Sequence, residues 1–487
     1  MLLEAIAEGW HVALTDEQTS EIVDLLIAAM SDPVWATLVV QKLGNAEREA
    51  LGHVAALGTV RAHVLQRKFG TLRRLGPGRL EWEDAWRHPA SPTERLWFLG
   101  LLFREYSKDR DYHGEVFYVA PEVLTALPAL PADLPRFRLV PAPASAVRQD
   151  DGDALARDAF LLLSYVRRRA IRSRKAGWSL RVGSELHSRL AGPEEPERLL
   201  LLERLCARAG WLAQDEGVWR PTARAAGWMK KGSVARQRQM YDAWRLDKDW
   251  NELLHIPGLR CEDTGWRSNP RLAREAMARH LLACPVGAWH TIDSFVSSLK
   301  DVDPDLMRPD GDYDSWYVRS TRTDSYLTGF AHWDDVEGAV IRHLLERPLR
   351  WLGIVALAAS APRGRVDCFS LTPLGYAVLN RPTAASKVLP PDGAGRQSCL
   401  LIVRPDLRVI VPPGGSWYDR WLLGRFSRWA GEREGAMAYR LDAASVRACL
   451  AEGITLRQIT AFLKRASGDR VPQQVVEALQ LYARGKN

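Results

Sequence analysis

Three stretches of the chain carry cations at close spacing with no acid among them. From Ala50 to Leu80 they are Arg61, Arg67, Lys68, Arg73, Arg74 and Arg79. From Phe160 to Gly183 they are Arg167, Arg168, Arg169, Arg172, Arg174, Lys175 and Arg181. From Val218 to Tyr241 they are Arg220, Arg224, Lys230, Lys231, Arg236 and Arg238. Guanidinium and ammonium groups neutralise phosphates and release condensed counterions, so such runs give affinity for a polyanion whatever its sequence. The competing reading is a solvated helix face whose Arg stems cover apolar neighbours. The residues expected to touch phosphate are Arg167, Arg168, Arg169, Arg172, Arg174 and Lys175, with Arg73, Arg74, Lys230 and Lys231.

Motifs for covalent chemistry are missing. A nucleotide-hydrolysing motor needs G-x-x-x-x-G-K-[ST] to cradle phosphates, and the one Gly-Lys pair is Gly485-Lys486, followed by Asn487. "GPGRLE" fails as a dinucleotide fingerprint at its third glycine, and "GGSWY" around Ser416 has Tyr418 where a nucleophile elbow needs Gly. No H-E-x-x-H occurs, and His332 and His343 lie too far apart along a helix for one metal. The acids Asp301, Asp303, Asp305, Asp310, Asp312 and Asp314 lack the glycine and terminal Glu of a calcium loop, so a solvated loop is expected. The pairs Asp334-Asp335 and Glu194-Glu195 suit helix starts, where they complement the macrodipole. No catalytic, cofactor-binding or metal-ligating residue is therefore assigned. A hydrolase or nuclease whose residues converge only in the fold stays open as a third class.

The whole chain agrees with a polyanion partner without requiring one. Its net charge is +8 and its pI about 9.2. At 487 residues it is too long for one core. Nineteen Trp are expected mostly as core plugs, with base stacking as the minority use. The six Cys show no C-x-x-C spacing and read as buried free thiols of a reducing compartment. The N-terminus lacks a signal-peptide pattern and the longest apolar run, Trp351 to Ala361, is too short to span a bilayer, so a cytoplasmic location without membrane association is expected.

The elements that must position these cations repeat loosely. Residues 1–44 read as helices, one through Ile22 to Met30 capped by Thr15 or Asp16, one from Val34 to Leu43. Residues 45–120 read as a helix capped by Asn45, a second from Val60 to Phe69, a third opened by Ser91-Pro92, then strands Leu101 to Tyr106 and Val116 to Val119. Helices followed by a hairpin are the order of a winged helix. Residues 121–153, rich in Pro and Ala, read as a linker. In 154–262 the spacing predicts helices Leu155 to Ile171, Val182 to Leu190 and Glu195 to Ala209, a wing around "QDEG", and a helical extension. In 263–380 it predicts helices Leu272 to Leu282, Ile292 to Leu299 and one from Trp333 ending before Pro348, then strands Trp351 to Ala358 and Val366 to Ser370. A second linker, 381–398, precedes a C-terminal module, 399–487.

In that module Leu401-Ile402-Val403 and Leu407 to Val411 read as paired strands. Trp417, Trp421, Leu422, Phe426 and Trp429 recur at helical spacing. Asp442 caps a helix that stops at Gly453, Thr455 and Gln458 form a capping box, Gly468 ends that helix, and Pro472 suits the start of the last. The string "YRLDAASVRACLAEGITLRQITAFLKRASGDRVPQQVVEAL", preceded by "LLIVRPDLRVIVPP", resembles the N-terminal domain of bacterial XPB-type helicases and the same module in bacterial helicase-associated proteins that lack a motor. The resemblance is strong over roughly the last ninety residues and looser upstream, where the chain is similar to the winged-helix array carried by such proteins. It implies a DNA-linked, non-catalytic role and brings no catalytic residues.

The expected fold is thus α+β, mainly α-helical: tandem winged-helix-like domains followed by a small α/β module. The expected function is a helicase-associated DNA-binding accessory protein of DNA repair or other DNA transactions. It would grip duplex or distorted DNA, largely without regard to sequence, and work beside a separate helicase or nuclease. The candidate third helices are not especially basic, which favours backbone contact over base readout. The alternative is a docking scaffold that recruits a helicase or nuclease and has little DNA affinity of its own.

Overall fold

The computed structural model describes residues 2–14, 19–109, 112–143, 148–169, 171–172, 186, 189–192, 195–266, 268–361, 364–381 and 399–485. About 49% of the chain is helix and 14% strand, a mixed α+β content in which helix dominates. The chain forms two units. One comprises Met1–Arg138 with Ser297–Val318 and Tyr326–Trp333; the other comprises Leu139–Val296, Arg319–Ser325 and Asp334–Asn487.

The first unit opens with helices Leu2–Gly9, Thr19–Met30 and Pro33–Gln41, the last capped by Asp32, whose carboxylate accepts the Val34 N–H at 2.7 Å. The proposed caps Thr15 and Asp16 lie outside the described residues. Helix Asn45–Leu57 starts one residue before the expected cap has finished: Gly44 is the N-cap, and Glu47 accepts its N–H at 2.6 Å. The predicted helix from Val60 instead begins at Ala62. Gly58 turns the chain at φ 78°, and β-branched Val60 joins strand Thr59–Arg61, facing Phe117. Helix Pro92–Phe98 leads into the hairpin Phe103–Asp109 and Tyr112–Tyr118. The sheet order places Tyr112–Tyr118 between the other two strands. Trp10, fully buried, donates its Nε1–H to the Leu99 carbonyl at 2.8 Å.

The acidic insert does not behave as one solvated loop. Asp301, Asp310, Asp312 and Asp314 are exposed or half-buried, but Asp305 is buried. Its carboxylate meets His63 Nε2 at 2.7 Å, Arg67 Nη2 at 2.8 Å and the Tyr313 hydroxyl at 2.8 Å. A buried carboxylate persists when its lone pairs are filled, and three donors fill them here. Burial alone would raise the Asp305 pKa; the His63 and Arg67 contacts hold it below the usual carboxylate range.

The second unit repeats the sheet order twice. Strand Ile171–Arg172 pairs with Val218–Pro221, which is hairpinned to Leu212–Asp215. Strand Trp289–Thr291 pairs with Cys368–Leu371, hairpinned to Val355–Ala358, and Arg148–Gln149 adds an edge. Residues 121–153 are therefore not only linker: they carry helix Pro121–Ala126 and this edge strand, and Pro141 bridges to His290. The expected helix Val182 to Leu190 falls almost wholly outside the described residues, as does the second linker, 381–398. The helix expected to stop before Pro348 runs on, because Leu345–Leu349 is a π turn that contains the proline.

The C-terminal module is a four-stranded sheet, ordered Ile402–Val403, Arg408–Val411, Ala436–Arg440, Arg428–Arg433, with helices Trp417–Leu423, Ala443–Ala451, Leu456–Ser467 and Gln473–Ala483. Its caps are local and follow the sequence. Asp442 accepts from Ser445 N at 2.9 Å, Thr455 and Gln458 bond reciprocally, and Gly468 sits in the left-handed region at φ 64°. The tryptophan helix is shorter than its spacing suggests. It ends at Gly424, and Trp429 lies in a strand opposite Tyr439. Of the cysteines, Cys206, Cys284, Cys368 and Cys449 are buried, Cys261 is half-buried and Cys399 is exposed. Among the described residues no single helix is long and apolar enough to cross a membrane, although the bent pair Thr19–Met30 and Pro33–Gln41 has the length and composition.

Candidate nucleic-acid interface

Helix Ala154–Arg168 buries Leu155, Ala159, Phe160, Leu162, Leu163 and Val166, the stripe that 3.6-residue spacing requires. Arg167 and Arg168 complete its last turn, and Arg169 leaves it in extended conformation at φ −130°. Ile171–Arg172, expected as further helix, is strand paired with Trp219 and Val218, so Arg172 does not continue the helical stripe. Arg174 and Lys175 lie outside the described residues.

The end of this helix meets the end of another. Helix Trp417–Leu423 presents unsatisfied carbonyls in its last turn, as every helix does. Arg167 Nη1 donates to the Trp421 carbonyl at 2.9 Å. Arg168 Nη2 donates to the Gly424 carbonyl at 2.7 Å and to that of Ser427. Two cations thus cap the negative end of the macrodipole. Gly424 leaves room for the guanidinium: a Cβ on it would lie 2.9 Å from Arg167 Nη2, which would have to shift.

Stacking completes the joint. Arg167 lies 3.8 Å over the Trp421 ring, Arg236 lies 3.9 Å over Trp417, and Arg420 lies 4.2 Å over Phe160. Phe160 meets Trp417 and Trp421 edge-on at 5.6 and 6.2 Å, and Trp228 meets Trp417 at 5.7 Å. Burial, with Arg168 and Arg425 nearby, pushes the Arg167 pKa down to about 9, which leaves it charged at neutral pH. Burial also lowers that of Arg168.

Beside the joint runs a groove of about 640 Å³. Arg167, Arg168, Arg169, Arg220 and Arg425 line it, with one acid, Glu452, and the rings of Trp219, Tyr418 and Trp421. Glu452 meets Arg425 at 3.2 Å and Asp215 meets Arg220 at 3.5 Å. Such solvated pairs are weak, so phosphate can displace them. Lys230 lies 4.4 Å over the Tyr418 ring, and both Lys230 and Lys231 are exposed. The structure therefore brings Arg168, Arg169 and Lys230 together with Arg220 of the third basic stretch. It adds Arg425, Trp219 and Tyr418, which sequence reading passed over. Arg425 lies between Arg420 and Arg428 in the sequence, and only its place in the groove singles it out.

The pair from the first stretch behaves differently. Arg73 is committed to the fold: its Nε and Nη2 donate to Glu94 at 2.9 and 2.8 Å, its Nη1 to Glu83 at 3.3 Å and its Nη2 also to the His88 carbonyl at 3.2 Å. Glu94 is fully buried, and although burial would raise its pKa, the Arg73 bonds hold it below the carboxylate range. Arg74 keeps most of its side chain in solvent, 3.2 Å from Glu115. Among the described residues no three His, Cys, Asp or Glu side chains converge as metal ligands would.

Comparison with known families finds a helicase-related match over the C-terminal module. Residues 401–485 match the family described as the helicase conserved C-terminal domain, which supports a helicase-associated protein related to nucleic acid. No curated protein matches the chain.

Proposed function

We propose that the protein is a non-catalytic, DNA-binding accessory to a helicase, acting in DNA repair or related transactions, with an XPB-type module at its C-terminal end and no motor in this chain. The three helix-and-sheet repeats are read as winged helices: in each, an early short strand pairs with one strand of a hairpin. The observation that carries the proposal is the groove, where Arg169, Arg220 and Arg425, with the rings of Trp219 and Tyr418, share walls with a single carboxylate, Glu452, while Arg167 and Arg168 hold the helix end behind them. Guanidiniums neutralise backbone phosphates, and rings accept unstacked bases without regard to sequence. Distorted or forked DNA offers both.

The test is a salt titration of binding to single-stranded, duplex and forked DNA. Replacing Arg169, Arg220 and Arg425 by Ala should weaken all sequences alike. It should also flatten log affinity against log salt by about 0.9 for each B-DNA phosphate left unneutralised. An unchanged slope would remove the groove from the interface.

A docking role is the second reading. Val34, Trp35 and Leu38 are 68, 41 and 47% exposed on one short helix, at the spacing that shares a face. Capture of a helicase or nuclease after nuclease treatment, abolished by Trp35→Ser, favours that reading.

A further inference from the structure

The first unit holds an open cleft of about 540 Å³ that lies wholly within it. Its walls bring together cations far apart in sequence: Arg67 and Lys68 of helix Ala62–Phe69, Arg136 and Arg138 of an irregular segment, and Lys300. Two acids, Asp133 and Asp301, face these five cations. His53 adds no charge at neutral pH, because burial lowers its pKa.

The segments that carry the cations are anchored to one another. The Arg138 N–H donates to Ser298 Oγ at 3.0 Å, and the Ser298 hydroxyl donates back to the Arg138 carbonyl. This reciprocal clamp anchors the Arg138 main chain to the helix Ile292–Val302 that carries Lys300, with the Arg136 and Arg138 side chains exposed. Arg67 is tied to Asp305 and lies 4.2 Å over the Phe330 ring, so it forms wall. Lys68 meets Glu49 at 2.8 Å with both side chains substantially exposed, a pair that a phosphate can replace. Half-buried Phe330 gives an apolar floor.

We infer that this cleft is a second nucleic-acid contact, which receives the phosphodiester backbone of a strand on Lys68, Arg136, Arg138 and Lys300. The inference rests on reading the chain as a nucleic-acid-binding protein. A strand suits the site better than a free nucleotide. The cations come from separate segments along an open trough, with no glycine-rich loop to wrap one phosphate.

The experiment uses the full chain and a fluorescent oligothymidylate in four proteins: the natural sequence, the cleft variant Arg136→Glu/Arg138→Glu, the groove variant Arg169→Ala/Arg220→Ala, and all four changes together. Both cleft positions lie on an irregular segment with their side chains in solvent, so the variant should fold and keep its melting temperature. The cleft variant should lose at least tenfold in affinity at low salt. Its salt slope should flatten by about 0.7 for each single-strand phosphate left unneutralised, additively with the groove variant. If the groove variant weakens binding and the cleft variant does not, the inference fails and the proposed function stands. If only the cleft variant weakens it, the inference stands and the groove reading fails. Failure of the natural sequence to bind any strand overturns both. Displacement of the strand by ATP well below the concentration at which chloride of equal ionic strength acts would overturn the strand in favour of a nucleotide.

Discussion

Arg167 lies 3.8 Å above the ring of Trp421 while donating a hydrogen bond at 2.9 Å to the main-chain carbonyl of the same residue. One guanidinium therefore meets both the side chain and the main chain of a single tryptophan. Only a planar cation with several donors can do both.

Arg167→Lys should therefore fail to preserve the joint. An ammonium can still donate to the carbonyl, but it lacks the planar face that lies flat on the ring. We expect Arg167→Ala to cost about 1–3 kcal/mol, the range for an orphaned buried acceptor, and Arg167→Lys to cost about 0.5–1 kcal/mol from the lost planar ring contact. Scanning calorimetry and faster proteolysis of the 399–485 module would register it. Equal melting of Lys variant and natural protein would sink the claim.

Glu203 gives a pH signature. Burial raises its pKa from 4.5 to about 8. Between those values the folded chain keeps a proton that the unfolded chain has released, so stability falls as pH rises through the window and levels off above it. Glu203→Gln should flatten that decline. It should stabilise by at least about 1.4 kcal/mol at pH values above the window and by nothing below it. Melting curves across the range decide it.

Arg274 is fully buried and its guanidinium holds four groups: Glu252, at 2.8 and 2.9 Å, and the carbonyls of Trp244, Asp247 and Trp250. Removing one partner of such a pair leaves a buried charge, at about 3–5 kcal/mol. Arg274→Met should express poorly or melt far lower, whereas exposed Arg271→Met should change stability by less than about 0.5 kcal/mol.

The missing phosphate loop predicts that the purified protein hydrolyses no ATP, with or without DNA. Turnover that survives repurification and scales with this chain would refute it.

Local chemistry was legible in the sequence, and long-range pairing was not. Asp442, Thr455 with Gln458, and Gly468 announce their caps because every partner lies within a few residues. Ile171–Arg172 could not be told from helix, since what makes it strand is a hydrogen-bonding partner near Trp219. Trp429 kept helical spacing, but Gly424 ends the helix and Tyr439 supplies a strand partner. The basic stretches located Arg168 and Arg169. They could not show that Arg73 is consumed by Glu94, or that Arg136 and Lys300 share a cleft.

The first unit takes its final pieces, Ser297–Val318 and Tyr326–Trp333, from beyond a long excursion of the chain. During synthesis its amino-terminal part emerges from the ribosome without Asp305, so His63 and Arg67 wait for their carboxylate until much of the second unit has been made. Contacts so distant in sequence form slowly. A fragment ending at Arg138 would carry that vacancy permanently.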